Sequence, residues 1–168
     1  MEPLHPFPWF DAATILVLIA INGVFAMSEL AIVSSRPAKL QAMADGGKRG
    51  ANTALRLARD PGRFLSTVQI GITLIGIIAG AYSGSTLGQP VAERLAVLGI
   101  RDEWANTLGF GIVISITTYA SLVIGELVPK QFALVAPERI AVLVAGPMEV
   151  LARITAPIVW LLDKSSAL

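Results

Sequence analysis

Three long stretches without a charged residue constrain the fold of this chain more than any other feature. They are residues 12–28, 64–92 and 104–125, which contain 17, 29 and 22 residues. A membrane-spanning helix needs about 20 mostly apolar residues. The second and third stretches meet that length alone, and the first meets it when it is extended past Glu29 to Ser35.

The sequence therefore predicts an all-α membrane protein with three transmembrane helices. The predicted spans cover about residues 10–35, 64–88 and 104–130. The composition agrees, because 54% of the residues are hydrophobic, 15% are charged and the mean hydropathy is +0.69. A cleaved signal peptide is the alternative for the first stretch, but the flanking Glu2 and Asp11 are acidic where a signal peptide is basic.

The charged segments between the spans predict the orientation of the chain. Residues 36–63 carry seven Lys or Arg against two Asp, whereas residues 93–103 carry two Arg against three acids. Basic loops stay in the cytoplasm. We therefore expect the N-terminus outside, the C-terminus inside, and a multi-pass location in the cell (inner) membrane. Trp9 and Trp104 would then lie at the outer interface.

The basic segment has its own predicted structure. Residues 37–62 read as two short helices separated by Gly46-Gly47, a basic helical hairpin on the inner leaflet. Setting the topology is its simplest role, and contact with anionic lipids is the alternative.

The tail 138–163 is apolar but interrupted by two prolines and two charges. It is predicted to be a juxtamembrane helix, with a fourth span as the alternative because two central charges are costly in a bilayer. Together these elements make residues 1–168 a single transmembrane domain with a cytoplasmic juxtamembrane helical belt.

Several functional classes are disfavoured by composition. The chain has no cysteine, one histidine (His5) and a net charge of +1. Thiolate or multi-histidine metal sites are excluded, and no nucleic-acid partner is expected. An intramembrane enzyme is also disfavoured, since the sequence has neither a HExxH motif nor paired membrane aspartates.

Glu126 and Glu29 are the two acids at apolar runs that could contact a cation, and Glu126 has the more informative surroundings. Pro129 cannot donate a hydrogen bond to the carbonyl four residues earlier, which belongs to Gly125. A broken helix with a freed carbonyl beside an acid is typical of cation sites in transporters. The alternative is that Glu126 only forms an i,i+4 ion pair with Lys130, a residue that could also close the cavity.

The first span also carries polar residues that could bind a cation. Asn22 can offer an amide oxygen to a cation, or form an interhelical hydrogen bond instead. Ala26 lies one turn further on, and Ser28 can bond to its own helix. Glu29 could contact an ion or pair with an arginine of the basic segment.

The second stretch supplies small and polar residues. Thr67, Gln69 and Gly71 lie within about one turn, and they are candidate oxygen donors. Glycines recur every fourth residue along one helix face, which predicts close helix packing and a possible homodimer interface. The glycines are Gly76, Gly80, Gly84 and Gly88. Carboxylate, amide, hydroxyl and carbonyl oxygens suit Mg²⁺ or Na⁺ rather than zinc or copper.

Three segments resemble the transmembrane domain of the CorC/CNNM magnesium transporters, most closely its bacterial CorC branch. They read NGVFAMSELAIVSSRPAKLQAMADGGKRGA, DPGRFLSTVQIGITLIGIIAGAYSG and GELVPKQFALVAPERIA. The resemblance implies Mg²⁺ export coupled to Na⁺ entry by a homodimer. It also implies that cytoplasmic CBS domains that bind ATP follow this segment, which does not contain them.

The resemblance also implies a metal site. Glu126 and the Gly125 carbonyl match the family's GE-x-x-P turn, while Asn22 and Ala26 fall where other branches have serine. Ala26 could serve only through its carbonyl, and a π-type bulge in the first span could expose more carbonyls. The second-span ligand stays open between three residues: Thr67, Gln69 and Gly71.

Two functional hypotheses follow. The first is a secondary transporter that exports Mg²⁺ from an inward-facing cavity between the spans. The second is a membrane anchor and dimer scaffold for a nucleotide-sensing domain. The carboxylate of Glu126 in a broken helix favours the first, since an anchor has no need of a charge within the membrane.

Overall fold

The computed structural model describes residues 6–166, apart from the side chains of Leu162, Asp163 and Ser166. His5 lies outside the described residues. All regular structure in the described range is helical. The elements are α1 (Trp9–Ser34), α2 (Pro37–Asp45), α3 (Ala51–Arg59), α4 (Gly62–Val97), α5 (Asp102–Leu122), a π segment (Val123–Leu127), α6 (Val128–Val135) and α7 (Pro137–Ser166).

Four helical stretches are long and apolar enough to cross a membrane. They are α1, α4, the continuous run from α5 through the π segment to α6, and α7 as far as Leu161. The chain is therefore a multi-pass helical membrane domain. The sequence predicted three spans, and α7 is an additional candidate because long apolar stretches flank its central Glu149 and Arg153.

The surface and interior of the bundle have the reverse polarity of a soluble domain. Large apolar side chains such as Leu16, Ile77 and Ile116 are exposed along the outside of the helices. Small or polar side chains, among them Ser83 and Thr117, are buried between them. This arrangement is expected where lipid is the solvent, because helix contacts then depend on close packing and interhelical hydrogen bonds.

Local sequence explains how α1 gives way to the basic hairpin. Arg36 precedes a proline and is extended, with φ −84° and ψ 119°, which ends α1 and lets Pro37 start α2. At the other end of α2, Gly47 takes a positive φ of 75° and the Lys48 amide bonds to the Met43 carbonyl at 3.0 Å. Helices α2 and α3 occupy the segment that was predicted to hold two short helices.

Helix α4 is longer than the second predicted span, since it continues to Val97 instead of ending near residue 88. Pro90 does not end the helix, and the Arg94 guanidinium donates to the Pro90 carbonyl at 2.6 Å. Close packing against α5 accounts for the extension: a side chain at Gly109 would lie 2.8 Å from the Ala92 nitrogen. The two helices therefore run side by side to the turn at Gly99.

The main apolar core lies at the end of the bundle where α2 and α3 are attached, which we call the hairpin end. Phe64 and Val68 of α4 pack there with Ile32 of α1 and Leu40 of α2. Helix α7 crosses the same end, because Ala145 and Met148 belong to this core. The hairpin end is thus the rigid base from which the helices carrying the candidate site extend.

Candidate functional site

The centre of the candidate site is a contact between α1 and the π segment. The Asn22 amide nitrogen donates a hydrogen bond to the Gly125 carbonyl at 3.1 Å. Pro129, four residues after Gly125, has no N–H to donate to that carbonyl. The structure therefore brings together two predicted site residues, and the carbonyl freed by the proline bonds to the first span.

The widened turn lies in the third span and includes Gly125 and Glu126. The Val128 amide bonds to the Val123 carbonyl five residues back, which is the π pattern. The sequence analysis allowed such a bulge in the first span, but α1 is an uninterrupted α-helix there. The proline explains the position, because its missing N–H and its ring prevent regular α-helical bonding just upstream.

Two glycines permit this close approach. A side chain at Gly23 would lie 3.0 Å from the Pro129 Cγ and 3.4 Å from the Ile124 carbonyl oxygen. A side chain at Gly125 would lie 3.2 Å from both the Asn22 amide nitrogen and the Ile19 carbonyl oxygen. A Cβ at either position would be in a tighter contact than usual, so its neighbours would have to shift by a few tenths of an ångström.

Asn22 has one polar atom without a partner. The residue is 5% exposed, and its side-chain oxygen is buried with no hydrogen-bond donor in reach. The Gly125 carbonyl fixes the orientation of the amide, since only the nitrogen can donate to it. A buried unsatisfied oxygen costs about 1–3 kcal/mol. A hydrogen-bond donor or a cation that bound this oxygen would remove that cost.

A group of three charged side chains, the Glu29–Lys130–Glu126 cluster, lies closer to the hairpin end. The Lys130 ammonium is 2.8 Å from a Glu126 oxygen and 3.6 Å from a Glu29 oxygen. The side chains of Lys130, Glu29 and Glu126 are 29%, 26% and 35% exposed. The i,i+4 pair that the sequence analysis kept as an alternative for Glu126 is therefore present. Glu29 pairs with Lys130 and not with an arginine of the basic segment.

The depth of each group follows from the helix rise of about 1.5 Å per residue. Asn22 lies about 18 Å from the end of α1 at Ser34, and Glu29 lies about 7.5 Å from it. Gly125 lies about 15 Å, and Lys130 about 7.5 Å, from Val135, where α6 ends. The Asn22–Gly125 contact is therefore near the middle of a span of about 30 Å, and the cluster lies between it and the hairpin end.

The three second-span candidates lie apart from this contact. Thr67 is buried, donates to the Arg63 carbonyl at 3.0 Å and lies 3.5 Å from the Thr155 hydroxyl of α7. Gly71 packs under the ring of Phe25, and Gln69 is exposed on the outer face of α4. Thr67 and Gln69 are 200° apart around a helix, so closeness in sequence does not place them on one face.

The remaining predicted residues surround the contact. Ala26 is completely buried, one turn from Asn22 toward the hairpin end. Ser28 is also buried, and its hydroxyl donates to the Val24 carbonyl at 2.6 Å within α1. Across residues 6–166 no three His, Cys, Asp or Glu side chains are grouped as metal ligands. A cation here would rely on amide and carbonyl oxygens, one or two carboxylates and water.

The sequence did not predict the ion pairs that attach α7 to the basic hairpin. The Glu138 carboxylate is buried, 3.3 Å from the Lys39 ammonium and 3.5 Å from the Arg36 amide nitrogen. Further along α7, Glu149 pairs with Arg56 of α3 at 2.9 Å. The only signal was a pair of acids in the tail opposite a basic segment, which did not specify partners.

Comparison with known proteins identifies the family of the chain. The family described as "Cyclin M transmembrane N-terminal domain" matches residues 13–168. The protein sll0260 of Synechocystis is 48% identical over 90% of this chain. YhdT of Bacillus subtilis is 34% identical over 90% of the chain, and the polyamine export protein of Escherichia coli K12 is 32% identical over 87%.

The chain spans about a third of the length of these relatives: 34%, 33% and 32% in the same order. It covers the helical membrane part that the family description names. On the match over nearly its whole length, the chain belongs to the cyclin M (CNNM) transmembrane domain family, the family that includes CorC.

Proposed function

We propose that this domain is the ion-conducting part of a secondary transporter that exports Mg²⁺, coupled to Na⁺ entry. The unpartnered Asn22 oxygen beside the π segment carries the proposal, because it is a buried acceptor near the middle of a span. The Gly125 carbonyl is adjacent, and the Glu126 carboxylate follows on the same widened turn. Broken helices with exposed carbonyls at this depth are how transporters hold cations.

The donor set supports a hard cation as cargo. Amide, carbonyl and carboxylate oxygens are ligands that Mg²⁺ and Na⁺ prefer. Because few carboxylates are available, Mg²⁺ would keep part of its water shell, as it usually does in proteins. Asn22 and Gly125 would orient the ion, and Glu126 would supply the nearest negative charge.

Cation export with polyamine cargo is the second candidate function. One relative is named a polyamine export protein. In this chain the amine of Lys130 lies between two carboxylates, so this pair of carboxylates can bind an alkylammonium group. A diamine and Mg²⁺ carry the same charge, so both suit the carboxylate pair. The two candidate functions differ in one respect: Mg²⁺ would also bind the deeper Asn22 oxygen.

The contacts of α7 support the three-span topology. Glu138 bonds to the hairpin through Lys39, and Glu149, eleven residues later, bonds to it through Arg56. A helix that meets the hairpin at two such distant points runs along that surface. In this proposal the hairpin end faces the cytoplasm, where its basic side chains contact anionic lipid headgroups.

The assembly in this proposal is a homodimer. Gly76 and Gly80 of α4 have open space where a side chain would be, so this face is available for a second copy. ATP-binding CBS domains in the cytoplasm would complete the transporter and regulate it.

A flux assay in proteoliposomes tests the function. We expect Mg²⁺ efflux that needs an inward Na⁺ gradient and falls at least tenfold in Asn22→Ala and Glu126→Gln. Gln69→Ala, an amide exposed on the outer face, is the matched control and should transport normally. Flux of spermidine without flux of Mg²⁺ would favour the second candidate. The absence of any cation flux would favour the membrane anchor.

A further inference from the structure

In the proposed transport, a cation that moves between the hairpin end and Asn22 passes the amine of Lys130. It lies 2.8 Å from Glu126 and 3.6 Å from Glu29, on helices that belong to different spans. Asn22 and Gly125 lie deeper along these two helices and are joined by a hydrogen bond. The cluster therefore lies between the hairpin end and the buried oxygen.

The charges of the cluster do not balance. Two carboxylates and one ammonium leave a net charge of −1 at a depth where unpaired charge is costly. A cargo of charge +2 that took the place of the ammonium would neutralise both carboxylates. A monovalent ion would not, so the exchange favours doubly charged cargo.

We propose that Lys130 is a tethered counter-ion, which fills the carboxylate pair in the absence of cargo and is displaced by a doubly charged cation. This inference rests on the proposed transport function and deepens it, because it assigns the cargo class and the residue that selects it. Displacement needs no change of backbone. Lysine has a long flexible stem, and a partly exposed ammonium near a helix end can reach the interfacial water.

The position of Lys130 allows this movement. It lies five residues before the end of α6 at Val135, about 7.5 Å from the hairpin end. Its side chain is 29% exposed, so it has an outward path. The partners Glu29 and Glu126 stay behind on α1 and the π segment, ready to hold the cargo.

Lysine labelling of the unmodified protein tests the displacement. The chain has four lysines: Lys39, Lys48, Lys130 and Lys164. We expect reductive methylation of Lys130, followed by mass spectrometry, to become at least threefold faster with Mg²⁺ at saturating concentration. Lys39, which is paired with Glu138, is the matched control for a salt-bridged lysine and should not change. Na⁺ at equal ionic strength should leave Lys130 protected.

Binding by charge variants gives a second readout. Lys130→Gln removes the competing charge, so we expect Mg²⁺ affinity to rise at least tenfold and the preference for Mg²⁺ over Na⁺ to shrink. Lys130→Arg keeps the charge and should keep the affinity of the wild type within threefold.

Two results would overturn the inference. One is Mg²⁺ binding with unchanged labelling of Lys130. The other is a folded Lys130→Gln protein that binds Mg²⁺ no more tightly than the wild type. Both leave the proposed function in place, whereas a wild-type protein that binds no cation removes the proposed function together with the inference.

Discussion

At the residue scale, the Asn22–Gly125 contact joins two spans, and in the proposed function it also binds the cation. The Asn22 amide nitrogen donates the hydrogen bond that Pro129 cannot donate to the Gly125 carbonyl. The side-chain oxygen of Asn22 has no partner in this orientation. Asn22 therefore satisfies the buried Gly125 carbonyl, and its own oxygen is the group that we propose binds a ligand.

Replacing Asn22 by alanine is expected to destabilise the domain even without cation. The substitution leaves the Gly125 carbonyl buried and unpaired, which costs about 1–3 kcal/mol, and it leaves a cavity. Removing the unsatisfied Asn22 oxygen offsets part of this cost. Denaturation in mixed micelles measures the change. Gln69→Ala, at an exposed amide, should shift the stability by less than about 0.5 kcal/mol. Equal effects of the two substitutions would contradict the role assigned to Asn22.

A methyl group at Gly23 is expected to separate α1 from the π segment. Its carbon would lie 3.0 Å from the Pro129 ring, and such overpacking costs about 1–3 kcal/mol. Gly111 of α5 has open space at the same position, so Gly111→Ala should be neutral or stabilising. Thermal unfolding of both variants checks this, and a Gly23→Ala protein as stable as the wild type would argue against close packing.

The sequence predicted which residues take part in the site better than it predicted their contacts. Asn22, Gly125 and Glu126 could be identified because polar groups are rare in apolar runs. The missing information was the direction in which each side chain leaves the helix: Thr67 faces α7 and Gln69 faces outward, although only one residue separates them. The partner of Glu29 was also unpredictable, since it depends on the relative depth of α1 and α6.

At the element scale, the glycines of α4 divide into two groups. Gly84 and Gly88 face Phe110 of α5, whereas the space at Gly76 and Gly80 is open. The regular four-residue spacing predicted one continuous face, but α5 covers only the half of it nearer Val97. One part of the glycine face thus contributes to the fold, and the open part is the proposed dimer interface.

Leucine substitutions separate these two roles. We expect Gly84→Leu to disrupt the α4–α5 packing and lower the thermal stability sharply, because even a Cβ there would contact the Phe110 ring. Gly76→Leu should keep the stability but convert the proposed dimer to a monomer. Crosslinking and light scattering in detergent give the oligomeric state. A dimeric Gly76→Leu protein would place the dimer interface elsewhere.

Element boundaries could be predicted where local backbone chemistry sets them. Pro37 and Gly47 delimit α2 as their backbone preferences require. The end of α4 could not be predicted, because Pro90 normally signals a break and the packing on α5 overrides it. Pro129 accounts for the π segment itself. Its hydrogen bond to Asn22 of α1 depends on how the two spans pack, which the sequence does not specify.

At the scale of the whole molecule, the hairpin end organises the domain. Helices α2, α3 and α7 share one core with the ends of α1 and α4. The spans extend from this base, and the candidate site lies where two of them meet. Ala133 of α6 also belongs to this core, so both helices that hold the cluster are packed on the hairpin end.

Cysteine labelling is expected to distinguish three spans from four. The chain has no cysteine, so each introduced one is unique. With three spans, Ser165→Cys should react from the same side of the membrane as Lys48→Cys, and Arg101→Cys from the opposite side. With four spans, Ser165→Cys would react together with Arg101→Cys. A membrane-impermeant maleimide applied to inverted and right-side-out vesicles gives the answer.

Cation binding to the purified domain tests the central claim most directly. Isothermal titration with Mg²⁺ should give saturable binding to the wild type and to Gln69→Ala, and at least a tenfold loss in Asn22→Ala. A ligand that binds only the folded state also raises its thermal stability, so the unfolding temperature should follow the same pattern. Equal Mg²⁺ binding by Asn22→Ala and the wild type would contradict a site at the Asn22–Gly125 contact.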